Sequence, residues 1–200
     1  FGKMVRVEAE RRGLRGAVTT LGIGDGGNWI DPLLDRERLY DRRIIDYYHA
    51  VEHLYDAARA AQGKDSPEAK ALAAQLKDDL WNGRIEQIIA TLQEHSARCG
   101  APQSGDGPDH PRRVLANNAA YFQKHRHHMN YPEYRRKGWP IGSGGTEAGV
   151  KQFNQRVKGT DRFWTENGVE SILALRSLWL SEDDRWKRYW TTRPAYCKAA

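Results

Sequence analysis

Strand-forming sequence is confined to two short runs near the amino terminus, and this restricts the chain to a mostly helical fold. Residues 18–23 are rich in β-branched side chains and lead into a glycine-rich turn at residues 24–27. Residues 42–45 form the second candidate strand. No internal repeat or low-complexity tract occurs elsewhere. The sequence therefore predicts an α/β fold that is mostly helical and contains a few strands.

Helical signals account for most of the remaining sequence. A weakly amphipathic helix is predicted over residues 2–16, and Asp46 is placed to cap a helix that ends at Gly63. Ser66 and Pro67 form a cap and a first-turn proline, which predict a helix as far as Trp81. Further helices are predicted over residues 85–92, 111–129 and 146–159, after Thr165 and after Ser181. A loop is predicted over residues 99–110.

Positive charge is concentrated in one part of the chain. The 200 residues carry 32 Lys and Arg against 26 Asp and Glu, and four of the six surplus charges lie within residues 131–164. This distribution favours an anionic partner. No apolar run approaches the roughly 20 residues that span a bilayer, so no membrane partner is predicted. Cys99 and Cys197 form no disulfide framework or paired thiol motif, which favours the cytoplasm.

Two acidic residues, Asp25 and Glu147, are the best candidates for metal-dependent phosphoryl transfer. Each follows glycines, which allow a metal ion or a phosphate backbone to approach closely, and each lies at the boundary of a predicted element. Two-metal chemistry needs carboxylates that converge on hard cations. The alternatives are structural: a turn acid at position 25, and at position 147 an exposed first-turn acid favoured by the helix dipole.

A group of histidines raises the question of a metal site. Asp46, His49 and His53 form a D-x-x-H-x-x-x-H pattern that places both imidazoles on one helix face, a spacing that zinc sites use. The glutamate that a metalloprotease motif places directly after its first histidine is missing, because position 50 is alanine. A helix cap with two partly buried imidazoles is the favoured interpretation, and the histidines at positions 125, 127 and 128 are interpreted in the same way.

Cations and aromatic side chains alternate close to Glu147. Cations bind phosphates, and aromatic rings stack on exposed bases, so this pattern indicates nucleic acid rather than an ordinary solvated helix face. Its position beside a candidate catalytic acid strengthens that interpretation. The candidate DNA-binding residues are Arg135, Arg136, Lys151, Arg156, Lys158, Arg162 and Trp164.

Four segments together resemble the DDE-type transposases of bacterial insertion sequences, and most closely the ISKra-type family. The segments are residues 24–30 (GDGGNWI), 44–54 (IIDYYHAVEHL), 138–147 (GWPIGSGGTE), and 156–159 (RVKG) with 162–164 (RFW). The resemblance spans most of the chain. Small departures occur at Gly27, where alanine is expected, and at Thr146, where an aliphatic residue is expected.

The resemblance implies an RNase H-like catalytic domain with three metal-binding acids. Asp25 and Asp46 are only 21 residues apart, too close for the first two acids of that fold. Asp25 is therefore expected to be the second acid and Glu147 the third, both binding Mg²⁺ or Mn²⁺. The first acid is expected upstream of Phe1, so the chain is expected to be a fragment with little activity alone. Asp46 and His49 are expected beside the site as structural or DNA-contacting residues.

The same resemblance divides the chain into three predicted parts. Residues 1–62 are expected to form a partial RNase H-like core, residues 63–130 an all-helical insertion, and residues 131–200 the catalytic helix with a basic and aromatic DNA-binding surface. The expected activity is metal-dependent DNA cleavage and strand transfer at the ends of an insertion sequence, by a homo-oligomer assembled on DNA. Two alternatives remain: a non-catalytic, basic DNA-binding helical module, and a structural zinc protein that uses the histidines.

Overall fold

The computed structural model describes residues 1–159, 161–181 and 183–193, without the side chains of residues 30 and 31. The chain divides into two compact units, Phe1–Ser143 and Gly144–Ala200. The prediction for Cys197 falls outside the described residues. The division into three parts remains a prediction.

A small parallel sheet lies near the amino terminus of the first unit. Strands β1 (Leu21–Gly24) and β2 (Arg42–Ile45) pair in parallel, with Leu21 opposite Arg42 and Gly24 opposite Ile45. Helix α1 (Gly2–Arg11) precedes β1, and helix α2 (Ile30–Glu37) connects the strands. The described structure is thus mostly helical with a two-stranded sheet, as predicted.

Two predicted boundaries near the amino terminus are wrong. Helix α1 ends at Arg11 instead of residue 16, because Gly13 adopts a left-handed conformation with φ of 92° and only a short 3-10 turn follows. The first strand begins at Leu21 instead of residue 18, since Val18 is fully exposed and has no packing partner to favour an extended conformation.

Four long helices form the body of the first unit, and their starts follow the predicted signals, although the third extends to Cys99 instead of residue 92. They are α3 (Tyr47–Gln62), α4 (Pro67–Trp81), α5 (Ile85–Cys99) and α6 (Pro111–His125). The Ser66 hydroxyl accepts a hydrogen bond from the amide of Ala69, which confirms the predicted start of α4. Helix α6 is shorter than predicted, because residues 126–128 continue as a 3-10 turn.

The hydrophobic core joins these helices to the sheet. Ile44 and Ile45 of β2 are fully buried against Leu54 of α3, Leu80 of α4 and Phe122 of α6. Residues 63–130, the predicted insertion, therefore share one core with the segment that precedes them. The spacing of apolar residues in α3 predicts an inward face that includes Leu54 and Tyr55. This face is partly wrong, because Tyr55 is exposed, and Tyr47, Ala50 and Ala57 are buried as well as Leu54.

Two short helices have no counterpart in the prediction. Helix α2 lacks a capping hydrogen bond from a side chain, so its start leaves little signal. Helix α7 (Tyr131–Arg136) is capped by Asn130. The Asn130 side chain accepts a hydrogen bond from the amide of Glu133 and donates one to the Glu133 carboxylate. This reciprocal cap was visible in the sequence as Asn-x-x-Glu.

The second unit consists of helices. Helix α8 (Gly144–Val157) packs against α9 (Glu166–Leu180), and α9 packs against α10 (Arg185–Thr192). Thr165 caps α9 through a hydrogen bond from the amide of Gly168, at the predicted start. No helix in the described part of the chain is long and apolar enough to cross a membrane.

Candidate active site and nucleic-acid surface

Asp25 follows directly after β1, at the carboxyl edge of the parallel sheet. Both strands end at this edge, because Gly24 pairs with Ile45 and the Asp46 amide donates to the Gly24 carbonyl at 2.8 Å. The exposed Asp25 carboxylate accepts one hydrogen bond, from the Gly27 amide to Oδ1 at 2.9 Å. Within the described residues, no cation forms an ion pair with Asp25. The turn-acid geometry is thus present, and one carboxylate oxygen remains open to a ligand.

Helix α6 holds the loop that carries Asp25. The Tyr121 hydroxyl donates to the Asp25 carbonyl at 2.9 Å, and Lys124 donates to the side chain of Asn28 at 2.9 Å. Burial, with the nearby Asp25 charge, raises the pKa of the Tyr121 hydroxyl, so it remains a donor. Gly26 has a φ of 87°, and a Cβ there would lie 2.9 Å from the His125 ring. The loop therefore requires glycine at this position.

The histidines of α3 pack as aromatic side chains between α3 and α6. His53 Nδ1 lies 2.6 Å from Asn118 Oδ1, and its ring stacks on Tyr121 at 4.0 Å. His49 contacts the His53 ring edge to face and pairs with the exposed Glu52 at 3.3 Å. Burial lowers the pKa of His53, although the hydrogen bond to Asn118 acts in the opposite direction. In residues 1–159, 161–181 and 183–193, no three His, Cys, Asp or Glu side chains are grouped to hold a metal.

Asp46 joins the amino end of α3 to the glycine-rich loop. Asp46 is buried, with 3% of its surface exposed. Its carboxylate accepts hydrogen bonds from the amides of Tyr48 (2.8 Å) and His49 (3.2 Å). It also accepts from the amide and the hydroxyl of Ser143, at 2.6 and 2.5 Å. Burial alone would raise the pKa of Asp46, but these four hydrogen bonds hold it below its usual value. We call this arrangement the Asp46–Ser143 clamp.

The clamp explains the glycine-rich loop before α8. The Tyr47 amide donates to the Ile141 carbonyl at 2.8 Å, so the loop follows the start of α3 closely. A Cβ on Gly142 would lie 2.8 Å from the Tyr48 ring, which explains glycine at that position. Asp46 was predicted as a cap and as a residue near the site. The role of Ser143 was missed, and its only signal was a hydroxyl within a glycine run.

Glu147 lies exposed in the first turn of α8. At about 100° per residue, Lys151 lies about 40° from Glu147 around the helix axis, and Lys158 directly follows the last residue of α8. An acid and a cation thus share one helix face. Asp25 belongs to the first unit and Glu147 to the second. Their pairing in one site stays a prediction.

The predicted DNA-binding residues fall into two groups. Arg135 donates to the Trp81 carbonyl and stacks on the Trp81 ring at 3.6 Å. Arg162 donates to the last carbonyls of α8, and Trp164 donates to the Val157 carbonyl, so both stabilise the end of that helix. The other group is exposed, and its side chains form no ion pair within the described residues; it comprises Arg136, Lys151, Arg156 and Lys158.

Comparison with protein-family models, with curated proteins and with solved structures gave no match to this chain.

Proposed function

We propose that this chain is the part of a DDE-type transposase that carries the second and third catalytic acids, Asp25 and Glu147. The observation that carries the proposal is the position of Asp25: an exposed carboxylate at the carboxyl end of a parallel strand, where α/β folds place their ligands. In this proposal β1 and β2 are the fourth and fifth strands of an RNase H-like domain. Only two of the three acids are assigned to residues 1–200.

The chemistry of the donor set fits Mg²⁺ or Mn²⁺. Mg²⁺ is usually bound through one or two carboxylates, with waters and substrate phosphates completing the shell. A site that is finished by DNA phosphates needs no group of three protein ligands. The metal would activate a water or a DNA 3′-hydroxyl and neutralise charge on the phosphate. Asp25 and Glu147 would hold it.

The Asp46–Ser143 clamp fixes Ser143, the last residue of the first unit, next to the end of β2, because the amide and the hydroxyl of Ser143 both donate to the Asp46 carboxylate. Along the chain, three residues separate Ser143 from Glu147. In this proposal Asp46 and His49 are structural residues beside the site.

The exposed cations of α8 support DNA as the substrate. Lys151 is one turn beyond Glu147 on α8, and Lys158 directly follows the end of that helix, so the helix face presents a phosphate-binding group next to the candidate metal ligand. The proposed reaction is cleavage and strand transfer at the ends of an insertion sequence, by a homo-oligomer assembled on DNA.

A titration of the 200-residue chain with Mn²⁺ tests the proposal. The electron paramagnetic resonance signal of free Mn²⁺ measures how much of the metal is bound. A shared site predicts that Asp25→Asn and Glu147→Gln each remove the same binding event, and that the double variant loses nothing more. Two unrelated sites predict that each single variant keeps half of the bound Mn²⁺. Glu166→Gln is the matched control, because Glu166 is also an exposed first-turn acid.

A non-catalytic DNA-binding module remains the main alternative, favoured by the exposed cations of α8. It predicts salt-sensitive DNA binding that ignores Mn²⁺ and both acid substitutions. A structural zinc protein predicts instead a large loss of stability with a chelator. Either result would contradict the proposal that the chain is part of a transposase.

A further inference from the structure

The second unit contains a pocket that the sequence analysis did not assign to any function. It has a volume of about 220 Å³ and lies between α8, α9 and α10. Its lining combines indole rings, aliphatic side chains and two guanidinium groups, and it includes no acidic residue from the described part of the second unit. These residues are Arg156, Ile172, Leu175, Arg176, Trp179 and Trp186.

We propose that this pocket binds an unpaired base of a DNA strand, stacked on Trp179, with Arg176 and Arg156 binding acceptor groups of that nucleotide. The inference deepens the proposed function, because it names the feature of DNA that the second unit recognises. It depends on contacts within the second unit alone.

Trp179 provides the stacking surface. Its side chain is 58% exposed, although it belongs to a row of tryptophans that pack edge to face. Trp186 supports Trp179 at a centroid distance of 5.2 Å and an interplanar angle of 86°, and Trp190 continues the row at 5.4 Å from Trp186. An exposed, supported indole is costly in water and suits a flat aromatic ligand.

Arg176 indicates that the ligand carries acceptors. Its Nε atom is inaccessible to solvent and has no hydrogen-bond partner within the described residues, while Nη2 donates to the Gln152 carbonyl at 3.4 Å. A buried donor of a charged group without an acceptor is unfavourable. Phosphate and base carbonyl oxygens are acceptors that guanidinium groups bind well. Exposed Arg156 adds a second cation.

The size of the pocket favours a single base. Pockets for drug-sized ligands usually measure about 300–1,000 Å³, so this one suits a single ring system. A purely apolar segment of another protein would offer no acceptor to Arg176 Nε or to the guanidinium group of Arg156. Arg156 lies nine residues after Glu147, about 14 Å along the axis of α8 and on the opposite face of that helix, so a strand has to cross the helix to contact both.

Binding of a fluorescent base tests the inference. The probe is a DNA duplex with one bulged 2-aminopurine, compared with the same duplex fully paired, and both are measured with EDTA present. We expect the chain to bind the bulged duplex more tightly and to quench its fluorescence by stacking. Trp179→Ala should weaken binding of the bulged duplex about tenfold and abolish the quenching, since base stacking on an aromatic side chain contributes about that much.

Trp190→Ala is the matched control, because Trp190 is similarly exposed, at 50%, yet does not line the pocket. It should change the affinity less than twofold. Arg156→Gln should weaken binding. It should also reduce the slope of the logarithm of the binding constant against the logarithm of the salt concentration by about 0.7, as expected for the loss of one phosphate contact with a single strand. Equal effects of the two tryptophan substitutions, or equal binding of bulged and paired duplexes, would overturn the inference.

Other outcomes separate this inference from the proposed function. If Trp179→Ala abolishes self-association in sedimentation and leaves DNA affinity unchanged, the pocket binds a second copy of the chain and the inference is wrong. If the bulged duplex binds as expected while Asp25→Asn and Glu147→Gln leave Mn²⁺ binding unchanged, the pocket is supported and the transposase proposal fails.

Discussion

Replacing Asp46 with alanine removes the carboxylate of the Asp46–Ser143 clamp. Loss of the helix cap costs about 1 kcal/mol. The two Ser143 donors lose a charged acceptor, at about 1 kcal/mol each once their partial access to water is considered. We therefore expect Asp46→Ala to lower the free energy of unfolding of the first unit by about 3 kcal/mol. With a urea m-value of about 2 kcal/mol/M, the midpoint falls by about 1.5 M.

Two further variants divide this loss into its parts. Asp46→Asn keeps a good cap and loses only the charged acceptor for Ser143, so it should cost about half as much. Ser143→Ala removes one donor and should cost about 1 kcal/mol. Asp56→Ala, on the exposed face of the same helix, removes only a surface ion pair with Arg59 and should cost less than about 0.5 kcal/mol.

The effect of Asp46 should also depend on pH. The pKa of Asp46 is lower in the folded chain than in the unfolded chain, because its hydrogen bonds outweigh its burial. Its charge therefore stabilises the fold fully above the usual carboxyl range, and this contribution is lost as the pH falls through the folded pKa. The difference between wild type and Asp46→Asn should narrow below about pH 4. Urea unfolding by circular dichroism, with hydrogen exchange of residues 141–143, measures both effects. If Asp46→Ala costs no more than Ser143→Ala, the reasoning is refuted.

Three other substitutions test the surroundings of Asp25. Burial lowers the pKa of His53 in the folded chain, so the neutral ring's contribution to stability is lost as the pH falls from about 6.5 toward the pKa of the folded state. His53→Gln should therefore reduce the decrease in the free energy of unfolding between about pH 7.5 and 5.5. A pH dependence of the urea midpoint equal to that of the wild type would contradict this. Tyr121→Phe removes the hydrogen bond to the Asp25 carbonyl, so it should cost about 1 kcal/mol and accelerate amide exchange of residues 26–28; unaltered exchange would exclude the contact. Gly26→Ala should cost at least about 1 kcal/mol more than Gly13→Ala, because both glycines have positive φ but, of the two, only Gly26 lies close to another side chain. Equal thermal stabilities of the two variants would show that Gly26 does not contact the His125 ring.

Local chemistry explains why much of the fold could be predicted. Ser66 and Pro67 specify a helix start within two residues, and Asp46 after a β-branched strand specifies another. The strand at residues 42–45 was placed correctly because its side chains are apolar and fully buried at Ile44 and Ile45. Helix α1 was drawn too long because its amphipathic pattern continues past Gly13, where the backbone turns.

The candidate site was harder to predict because its contacts join distant parts of the chain. Asp46 was recognised as a cap, but its bond to Ser143 spans 97 residues and has no local signature. The spacing of residues 111–129 predicts that Tyr121 faces inward, yet its hydrogen bond to the Asp25 carbonyl depends on how α6 packs against the sheet edge. The cations near Glu147 were predicted as one surface. Arg135 and Arg162 instead donate to backbone carbonyl groups at the ends of α4 and α8.

A crystal structure of the chain grown with Mn²⁺, with the metal located by its anomalous scattering, tests the central claim most directly. The account predicts an anomalous peak that contacts the carboxylates of both Asp25 and Glu147, which should then lie within about 8 Å of each other, as two-metal geometry requires. Peaks elsewhere, with the two carboxylates farther apart and no metal between them, would contradict the account.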